Sequence, residues 1–393
     1  MNKFKYYAPT EVIFGKDVEN EVGKELLKSE ATKVLIHYGS ERAVKSGLLD
    51  RVLDSMEENE IEYVMLGGVV PNPRLAKVRE GIKICKDENV DFVLAVGGGS
   101  VLDSAKAIAY GAVYNGDVWD FYEGKEIIKG ALPHGNIITL AATGSETSSS
   151  SVITNEETGD KVGVNTDYGR PEFTLMNPEL TYTLPPYQTA CGIVDIMMHT
   201  FERYFSPGGL NDMTDEIAEA VIRNTKKYGS IAMETPEDYD ARSELFWSGS
   251  ISHVNLTGLG RTGDWASHRL EHELSGMFDV AHGAGLSAIW GAWARYTYKE
   301  APERFIRMGE KAWELDLVNL QEKEAVEIMI DTVLKYFKGL GMPINTTELL
   351  GRQLSEEEIL KLADNASKAG SRTLGNFKVL NREDMINIFR MSV

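Results

Sequence analysis

The stretch of sequence that decides the fold is FVLAVGGGSVLDSAKAIAYG, residues 92–111. It joins a short apolar run to a helical pattern through Gly97, Gly98 and Gly99. Glycine lets the main chain approach a ligand closely, and the N-terminus of a helix, which we expect Ser100 to cap, attracts a phosphate group. We therefore predict a strand–turn–helix unit that binds the pyrophosphate of a dinucleotide. A tight turn without a ligand is the alternative, because the usual G-x-G-x-x-G spacing is absent.

Short apolar runs and helical patterns alternate along the first 185 residues. The runs typical of strands are residues 33–38, 63–66, 92–96, 137–140 and 173–176. The segments with helical periodicity are residues 41–57, 74–88 and 100–113. This alternation predicts an α/β layer built on a mainly parallel sheet, with residues 4–15 as a hairpin or an edge strand.

The character of the chain changes at Pro185 and Pro186. Beyond this pair the sequence is rich in Ala, Glu, Leu, Lys and Met at helical spacing, and proline is favoured in the first turn of a helix. We expect two domains: an α/β dinucleotide-binding domain over residues 1–185 and an all-helical, metal-binding domain over residues 186–393.

The composition excludes several classes of partner. The 393 residues include 42% hydrophobic and 26% charged ones, an ordinary globular balance, and the net charge of −19 argues against a nucleic-acid partner. There is no apolar run of about 18 residues, so we expect no membrane contact. The N-terminal sequence lacks the apolar region of a signal peptide, and Cys85 and Cys191 are isolated. We predict a cytoplasmic protein.

A second segment of small residues, TLAATGSETSSSSVIT, covers residues 139–154. It follows another short strand, and its hydroxyl groups and small side chains are suited to lining a nucleotide or a nicotinamide ring. The alternative is an ordinary Ser/Thr-rich loop with no ligand.

Three of the seven histidines lie in HRLEHELSGMFDVAHG, residues 268–283. Along one straight helix, His268 and His282 would be separated by about 21 Å. The donor atoms of two ligands must each lie about 2 Å from a shared metal ion, so these histidines share an ion only if the chain folds back between them. We expect Gly276 to provide the break, and Gly283 and Gly285 to let the returning segment pack closely.

Asp195 and His199 stand four residues apart and therefore share one face of a predicted helix. A solvated surface pair is the alternative to a metal site. A competing hypothesis treats HRLEH as the H-x-x-E-H signature of a zinc protease, with His268 and His272 as ligands and Glu271 as the general base. That hypothesis leaves the α/β half, the glycine turn and the Asp195/His199 pair unexplained.

Taken together, these motifs resemble the iron-containing (group III) alcohol dehydrogenases, in particular the butanol dehydrogenase branch. The resemblance is carried by GGGSVLDSAKAIA, TLAATGSE, NPELTYTLPP and HRLEHELSGMFDVAHGAGLSAIWGAW. It implies a dehydroquinate synthase-like fold: an α/β NAD(P)-binding domain with a mainly parallel sheet, followed by an all-α metal-binding domain.

The resemblance also implies roles for particular residues. The divalent metal would be bound by Asp195, His199, His268 and His282. His272 would be a non-ligand near the nicotinamide and would serve in proton relay. The residues expected around the cofactor are Gly39, Ser40, Asn72, Gly97, Gly98, Gly99, Ser100, Asp103, Thr139, Leu140, Thr143, Lys161 and Thr183.

The implied activity is a metal-dependent, NAD(P)H-linked alcohol dehydrogenase or aldehyde reductase that acts on short-chain compounds such as butanol and butanal. A polyol dehydrogenase of the glycerol or 1,3-propanediol type is the alternative on the same fold, and the H-x-x-E-H protease is the remote one. The ion would act as a Lewis acid on the carbonyl oxygen while the nicotinamide delivers hydride.

Cofactor, metal and partners complete these expectations. Gly39 and Ser40 follow the second strand and carry no charge, so NADP(H) is favoured over NAD(H). Arg42 is near enough in sequence to reach the extra phosphate of NADP(H), whereas the negative charge of Glu41 would disfavour that phosphate. Fe²⁺ is the favoured metal, although Zn²⁺, Ni²⁺ and Co²⁺ also suit imidazole and carboxylate ligands. We expect a small alcohol or aldehyde as substrate and a homodimer formed through the N-terminal strand.

Overall fold

The computed structural model describes residues 2–39 and 41–393, without the side chains of residues 41 and 42. The chain forms two compact units, one covering Tyr7–Leu184 and the other covering Pro185–Val393 together with the residues up to Tyr6. None of the described helices combines the length and the apolar character that crossing a membrane requires.

The eight strands found among the described residues all lie in the first unit. The strands are β1 (Glu11–Phe14), β2 (Lys33–Tyr38), β3 (Glu62–Leu66), β4 (Phe92–Gly97), β5 (His134–Ile138), β6 (Ser150–Asn155), β7 (Asp160–Asn165) and β8 (Phe173–Met176). The helices of this unit are α1 (Val22–Lys28), α2 (Glu41–Lys45), α3 (Leu48–Glu58), α4 (Leu75–Glu88), α5 (Gly99–Ala112) and α6 (Trp119–Tyr122).

Six of these strands form one parallel sheet in the order β1-β8-β5-β4-β2-β3. The central strands β4 and β5 are buried along their whole length, as expected for a parallel sheet that is covered on both faces. The prediction of an α/β unit with a mainly parallel sheet is confirmed. β1 lies at one edge of this sheet, in agreement with the edge-strand alternative for residues 4–15.

Three details of the first unit differ from the sequence prediction. The predicted helix over 41–57 is two helices, because Gly47 takes a left-handed conformation (φ 72°) between α2 and α3. β5 begins at His134 rather than near residue 137. Its first half contains two buried polar residues, His134 and Asn136, which a search for apolar runs does not assign to a strand. The Ser/Thr-rich segment ends in a strand, since β6 pairs antiparallel with β7 in a separate two-stranded sheet.

The second unit is helical, as predicted. Its helices are α7 (Pro186–Tyr204), α8 (Asp212–Glu234), α9 (Tyr239–His253), α10 (Ala266–Phe278), α11 (His282–Thr297), α12 (Pro302–Ala312), α13 (Glu322–Gly339), α14 (Thr346–Leu350), α15 (Glu356–Ser367) and α16 (Arg382–Met391). Every residue of 185–393 is described, and apart from one isolated bridge between Leu374 and Leu380 none of them belongs to a sheet. Pro186 is the first residue of α7, the helix start that the proline pair predicts.

Candidate active site

The glycine turn joins the end of β4 to the start of α5 and leaves no room for a side chain at Gly97 or Gly99. A Cβ on Gly97 would lie 2.6 Å from Cγ2 of Val101, and a Cβ on Gly99 would lie 2.6 Å from Oγ1 and Cγ2 of Thr143. Gly98 is the N-cap of α5, so the prediction that Ser100 caps this helix is wrong: Ser100 lies within the first turn. The first turn therefore presents main-chain N–H groups, the arrangement that favours an anion.

Several other predicted cofactor residues lie around this turn. Gly39 directly follows β2, and a Cβ there would lie 3.3 Å from Cγ2 of Val101. The N–H of Thr139 donates to the carbonyl oxygen of Gly97 (3.0 Å), and Cβ of Leu140 lies 3.4 Å from the position of a Cβ on Gly98. The carboxyl ends of β2, β4 and β5 thus bring these groups together, the usual ligand position in open parallel sheets. Ser40 lies outside the described residues.

Two buried charged residues of α5 hold the segment that follows Thr143. Asp103 accepts hydrogen bonds from the Ser145 hydroxyl (2.6 Å) and from the N–H of Val152 (2.9 Å). The ammonium group of Lys106 donates to the carbonyl oxygens of Ser145 (2.7 Å), Ser148 (3.1 Å) and Ser150 (2.8 Å). Burial lowers the pKa of Lys106 to about 8 and raises the pKa of Asp103. The sequence identified Asp103 but not Lys106, although both share one helix face.

The remaining predicted cofactor residues lie elsewhere in the first unit. Asn72 is buried in a left-handed conformation (φ 55°), and its neighbour Pro73 accepts a hydrogen bond from the N–H of Thr154 (2.8 Å). Thr154 is paired with Lys161 in the β6–β7 ladder, so Asn72 and Lys161 lie on either side of β6. Thr183 is exposed, in the segment between β8 and α7.

The four predicted metal ligands come from three helices of the second unit. Asp195 and His199 lie one turn apart on α7, His268 lies on α10, and His282 is the first residue of α11. The carboxylate oxygen Oδ1 of Asp195 lies 3.7 Å from Nδ1 of His199, 3.8 Å from Nε2 of His268 and 3.6 Å from Nε2 of His282. Asp195, His268 and His282 each offer one donor atom, and these three atoms lie within 4.8 Å of one another.

The chain folds back between His268 and His282, but Gly276 does not cause the break, and that prediction is wrong. Gly276 lies inside α10, and the helix ends at Asp279, which takes a left-handed conformation (φ 51°) as its C-cap. An aspartate tolerates this conformation better than most residues do. Gly283 then brings α11 against α7, since a Cβ there would lie 2.2 Å from the carbonyl oxygen of Cys191.

The donor atoms fit a divalent cation. Among the described residues, Oδ1 of Asp195, Nδ1 of His199 and Nε2 of His268 are buried and have no hydrogen-bond partner. Bonds of about 2.1 Å in a tetrahedral site separate the donors by about 3.4 Å, close to the observed distances. Burial lowers the pKa of His199 well below its usual value. Burial also acts to lower the pKa of His268, but the negative charges of Asp195 and Glu202 raise it to about 9.

Comparison with known proteins decides the family. A family model described as "Iron-containing alcohol dehydrogenase" matches residues 9–178, and one described as "Fe-containing alcohol dehydrogenase family, C-terminal" matches residues 189–393. The chain belongs to the iron-containing alcohol dehydrogenase family. It is therefore an enzyme, an NAD(P)-dependent alcohol dehydrogenase, and the resemblance inferred from the sequence motifs is confirmed.

Individual relatives agree with the family. The chain is 40% identical to NADH-dependent butanol dehydrogenase A of Clostridium acetobutylicum, over 100% of both chains. It is 33% identical to the NADPH-dependent aldehyde reductase YqhD of Escherichia coli, over 93% of this chain and 96% of the relative. The crystal structure of NADH-dependent butanol dehydrogenase A from Thermotoga maritima superposes with a TM-score of 0.95 at 38% identity, covering 100% of this chain and 99% of that one.

In this iron-containing alcohol dehydrogenase, His272 lies beside the proposed ligands. It is buried, and its ring centroid lies 5.7 Å from that of His282. Glu271 is fully buried against His282 and Ser275, so its carboxylate is not placed as the general base of a protease. Family membership and this geometry together remove the H-x-x-E-H protease hypothesis.

Sequence reasoning missed four residues that surround the ligands. Glu202 accepts a hydrogen bond from Nδ1 of His268 (2.8 Å), and Glu271 contacts Nδ1 of His282. The ring of His253 lies 4.3 Å from that of His199, and Trp265 lies 5.3 Å from His268, as centroid distances. Glu202 had a signal in the sequence, because it lies seven residues after Asp195 and hence on the same face of α7.

Proposed function

We propose that the protein interconverts a short-chain aldehyde such as butanal and the corresponding alcohol, using a nicotinamide cofactor and one divalent cation. The observation that carries the proposal is the buried Asp195 carboxylate oxygen, which three histidine nitrogens surround at 3.6–3.8 Å. The names of two relatives, both butanol dehydrogenases at 38–40% identity, support butanol and butanal as the substrate pair.

The proposed ligands are Asp195, His199, His268 and His282. A divalent cation supplies a Lewis acid for the carbonyl oxygen, and the reduced nicotinamide supplies the hydride for the carbonyl carbon. Asp195 is the only one of the four proposed ligands with a negative charge. A divalent cation held by them would therefore keep a net positive charge. His272 gives a proton to that oxygen as the alcohol forms, and it takes the proton back in the reverse direction.

For the cofactor, we propose that the main-chain N–H groups at Gly98 and Gly99 bind the pyrophosphate, with Thr139, Leu140 and Thr143 beside it. Glycine is required at position 99 by packing, because a Cβ there would lie 2.6 Å from Oγ1 and Cγ2 of Thr143, and its absence also leaves the main chain open to a ligand. Lys106 and Asp103 keep the segment after Thr143 in place through their hydrogen bonds to Ser145. Asn72, Lys161 and Thr183 complete the proposed contacts.

The sequence expectation of NADPH competes with the names of the relatives. Two relatives at 38–40% identity are named NADH-dependent, and one at 33% is named NADPH-dependent. Glu41 would repel the extra phosphate of NADPH. We therefore propose that NADH is preferred. The test is the ratio of kcat/KM for NADH to that for NADPH in the wild type and in Glu41→Gln. We expect a ratio above about ten that falls in the variant; a wild-type preference for NADPH would restore the sequence expectation.

Fe²⁺ is the proposed ion, by analogy with the family description. The decisive experiment follows the near-ultraviolet absorbance of NADH with butanal, before and after chelation and after restoring Fe²⁺, Zn²⁺, Ni²⁺ or Co²⁺ in turn. We expect chelation to abolish turnover and Fe²⁺ to restore it best. Full activity after complete removal of metal would refute the metal-dependent mechanism. Measuring kcat/KM for butanol, glycerol and 1,3-propanediol in the same preparation distinguishes the polyol alternative.

We also propose a cytoplasmic homodimer formed through β1. Among the described strands, β1 pairs only with β8, and the N–H groups of Glu11 and Gly15 point to that partner. The N–H of Val12 therefore points to the open edge, where a second β1 can pair with it. Val12→Pro should convert a dimer into a monomer in light scattering while leaving the sheet intact. Unpaired Cys85 and Cys191 suit a reducing compartment.

A further inference from the structure

The H-x-x-E-H motif leaves one residue without a function, the fully buried Glu271. One oxygen of its carboxylate contacts the hydroxyl of Ser275 and the other contacts Nδ1 of His282. Both oxygens are thus fixed, one by a residue of the same helix and one by the first residue of α11. A buried carboxylate is costly unless it is paired in this way. Glu271 is accordingly held in a single position against His282.

The contact determines which nitrogen of His282 is available to a ligand. An ionised Glu271 carboxylate can only accept a hydrogen bond, so in this contact Nδ1 of His282 carries the proton and Nε2 keeps its lone pair. Nε2 lies 3.6 Å from Oδ1 of Asp195. An imidazole without such a partner exchanges between two tautomers and rotates more freely. Glu271 therefore selects the tautomer and the ring orientation that a metal ligand needs.

A parallel arrangement occurs at His268. Glu202 accepts hydrogen bonds from Nδ1 of His268 and from its main-chain N–H, both at 2.8 Å. Nε2 of His268 then lies 3.8 Å from Oδ1 of Asp195. In both ligand candidates, which lie on different helices, a glutamate carboxylate contacts Nδ1 while Nε2 faces Asp195.

The fold makes specific room for the carboxylate of Glu271. A Cβ on Gly285 of α11 would lie 2.8 Å from Cγ and 2.9 Å from Oε1 of Glu271. Only a residue without a side chain leaves this space. Gly285 thus belongs to the same arrangement as Ser275 and His282, which indicates a built position for Glu271 rather than an incidental ion pair.

We propose that Glu271 is a positioning residue for the metal centre, which holds His282 with Nε2 directed at the cation. The inference rests on the proposed function, because it presupposes that His282 is a ligand. Partners of this kind orient metal-bound histidines and raise their basicity, and losing one typically weakens metal binding by about 10- to 100-fold. Ser275 contributes indirectly, because its hydroxyl contacts the oxygen of Glu271 that does not face His282.

The test measures Co²⁺ binding to metal-free full-length protein, by the visible absorbance of the bound ion and by competition with a chelator. Glu271→Gln keeps the shape of the side chain and removes its charge, and we expect it to weaken Co²⁺ binding by about 10- to 100-fold. Glu273→Gln is the matched control, because it removes the same charge two residues away on α10 and should bind Co²⁺ as the wild type does. The apo-protein melting temperature of each variant reports whether folding is affected.

Ser275→Ala provides a second variant that leaves the carboxylate in place. It frees one oxygen of Glu271, and we expect a loss of Co²⁺ affinity of a few fold, smaller than that of Glu271→Gln. If both variants bind Co²⁺ as tightly as Glu273→Gln, the positioning role is refuted while the metal site stands. If the wild type itself binds no Co²⁺, the proposed function fails first.

Discussion

The candidate sites of the two units are built from different parts of the polypeptide. In the first unit, main-chain groups of Gly97–Gly99 form the site, and side chains are excluded from it by close contacts. In the second unit, side chains form the site, and helices deliver Asp195, His199, His268 and His282 to one point. A main-chain site fails when a side chain is added, whereas a side-chain site fails when one is removed.

The two sites nevertheless share one feature, a buried charged residue behind the groups that face the ligand. The ammonium group of Lys106 donates to three carbonyl oxygens of the segment after Thr143, and Glu202 and Glu271 contact two histidines of the candidate metal site.

The largest effect is expected for removal of a metal ligand. His268→Ala takes away one of the nitrogens that surround Asp195, so it should abolish turnover and remove nearly all bound metal. Elemental analysis of the purified variant and kcat/KM with butanal measure the two losses together. Normal activity in a variant that contains no metal would mean that the side-chain site is not the catalytic one.

His272→Ala separates the catalytic role from the ligand role within the same site. His272 lies beside His282 but is not a proposed ligand, so metal content should stay near that of the wild type. Loss of a proton-transfer group should lower kcat by about 10²-fold or more. If metal is lost along with activity, His272 serves as a ligand and the proposed set of four is wrong.

Gly99→Ala tests the main-chain site by adding one carbon atom. The new Cβ would lie 2.6 Å from Oγ1 of Thr143 and would force the segment after β5 to move. We expect the KM for NADH to rise about tenfold, equivalent to about 1.4 kcal/mol, with a smaller change in kcat. Gly130→Ala is the control, because the nearest atom to its Cβ would be 3.8 Å away. Equal KM values in both variants would contradict a cofactor site at the turn.

The smallest effect concerns the buried charge of Lys106 and is measured as a pH dependence. Burial lowers the pKa of Lys106 to about 8, so above that pH the folded protein loses a proton that the unfolded chain still binds. The free energy of unfolding then rises with pH, by up to about 1.4 kcal/mol per unit. The melting temperature of the wild type relative to Lys106→Met should increase by about 1–2 °C between about pH 8 and about pH 9.

Lys83→Met, which removes an exposed lysine of α4, is the control for that experiment. It should show no change of melting temperature with pH relative to the wild type over the same range. A constant difference between the wild type and Lys106→Met would show that the ammonium group is not buried as described.

The parts of the molecule that sequence reasoning predicted are those that depend on local patterns. The strand before Gly97, the helix after it and the helix start at Pro186 follow from periodicity and from the conformations of glycine and proline. The set of four ligand candidates came from the resemblance to the iron-containing alcohol dehydrogenases, because helical spacing by itself placed only Asp195 next to His199 on one helix face. These features need no knowledge of the tertiary structure.

The parts that were missed depend on contacts between distant segments. The break before His282 is at Asp279 rather than Gly276, because the position of α11 is set by its packing on Cys191 of α7. In the sequence Lys106 looks like a surface lysine. In the structure it is buried, and its ammonium group donates hydrogen bonds to the carbonyl oxygens of Ser145, Ser148 and Ser150. The role of Glu271 was hidden by a protease motif of five residues.

The distribution of imidazoles has a practical consequence for spectroscopy. Burial lowers the pKa of both His37 and His134 to about 4, so both stay neutral through the physiological range. The other five histidines of the chain are linked by ring contacts at the candidate metal site: His199, His253, His268, His272 and His282. Selective isotope labelling of histidine would therefore give a spectrum in which every resonance that responds to an added ion reports on this one site.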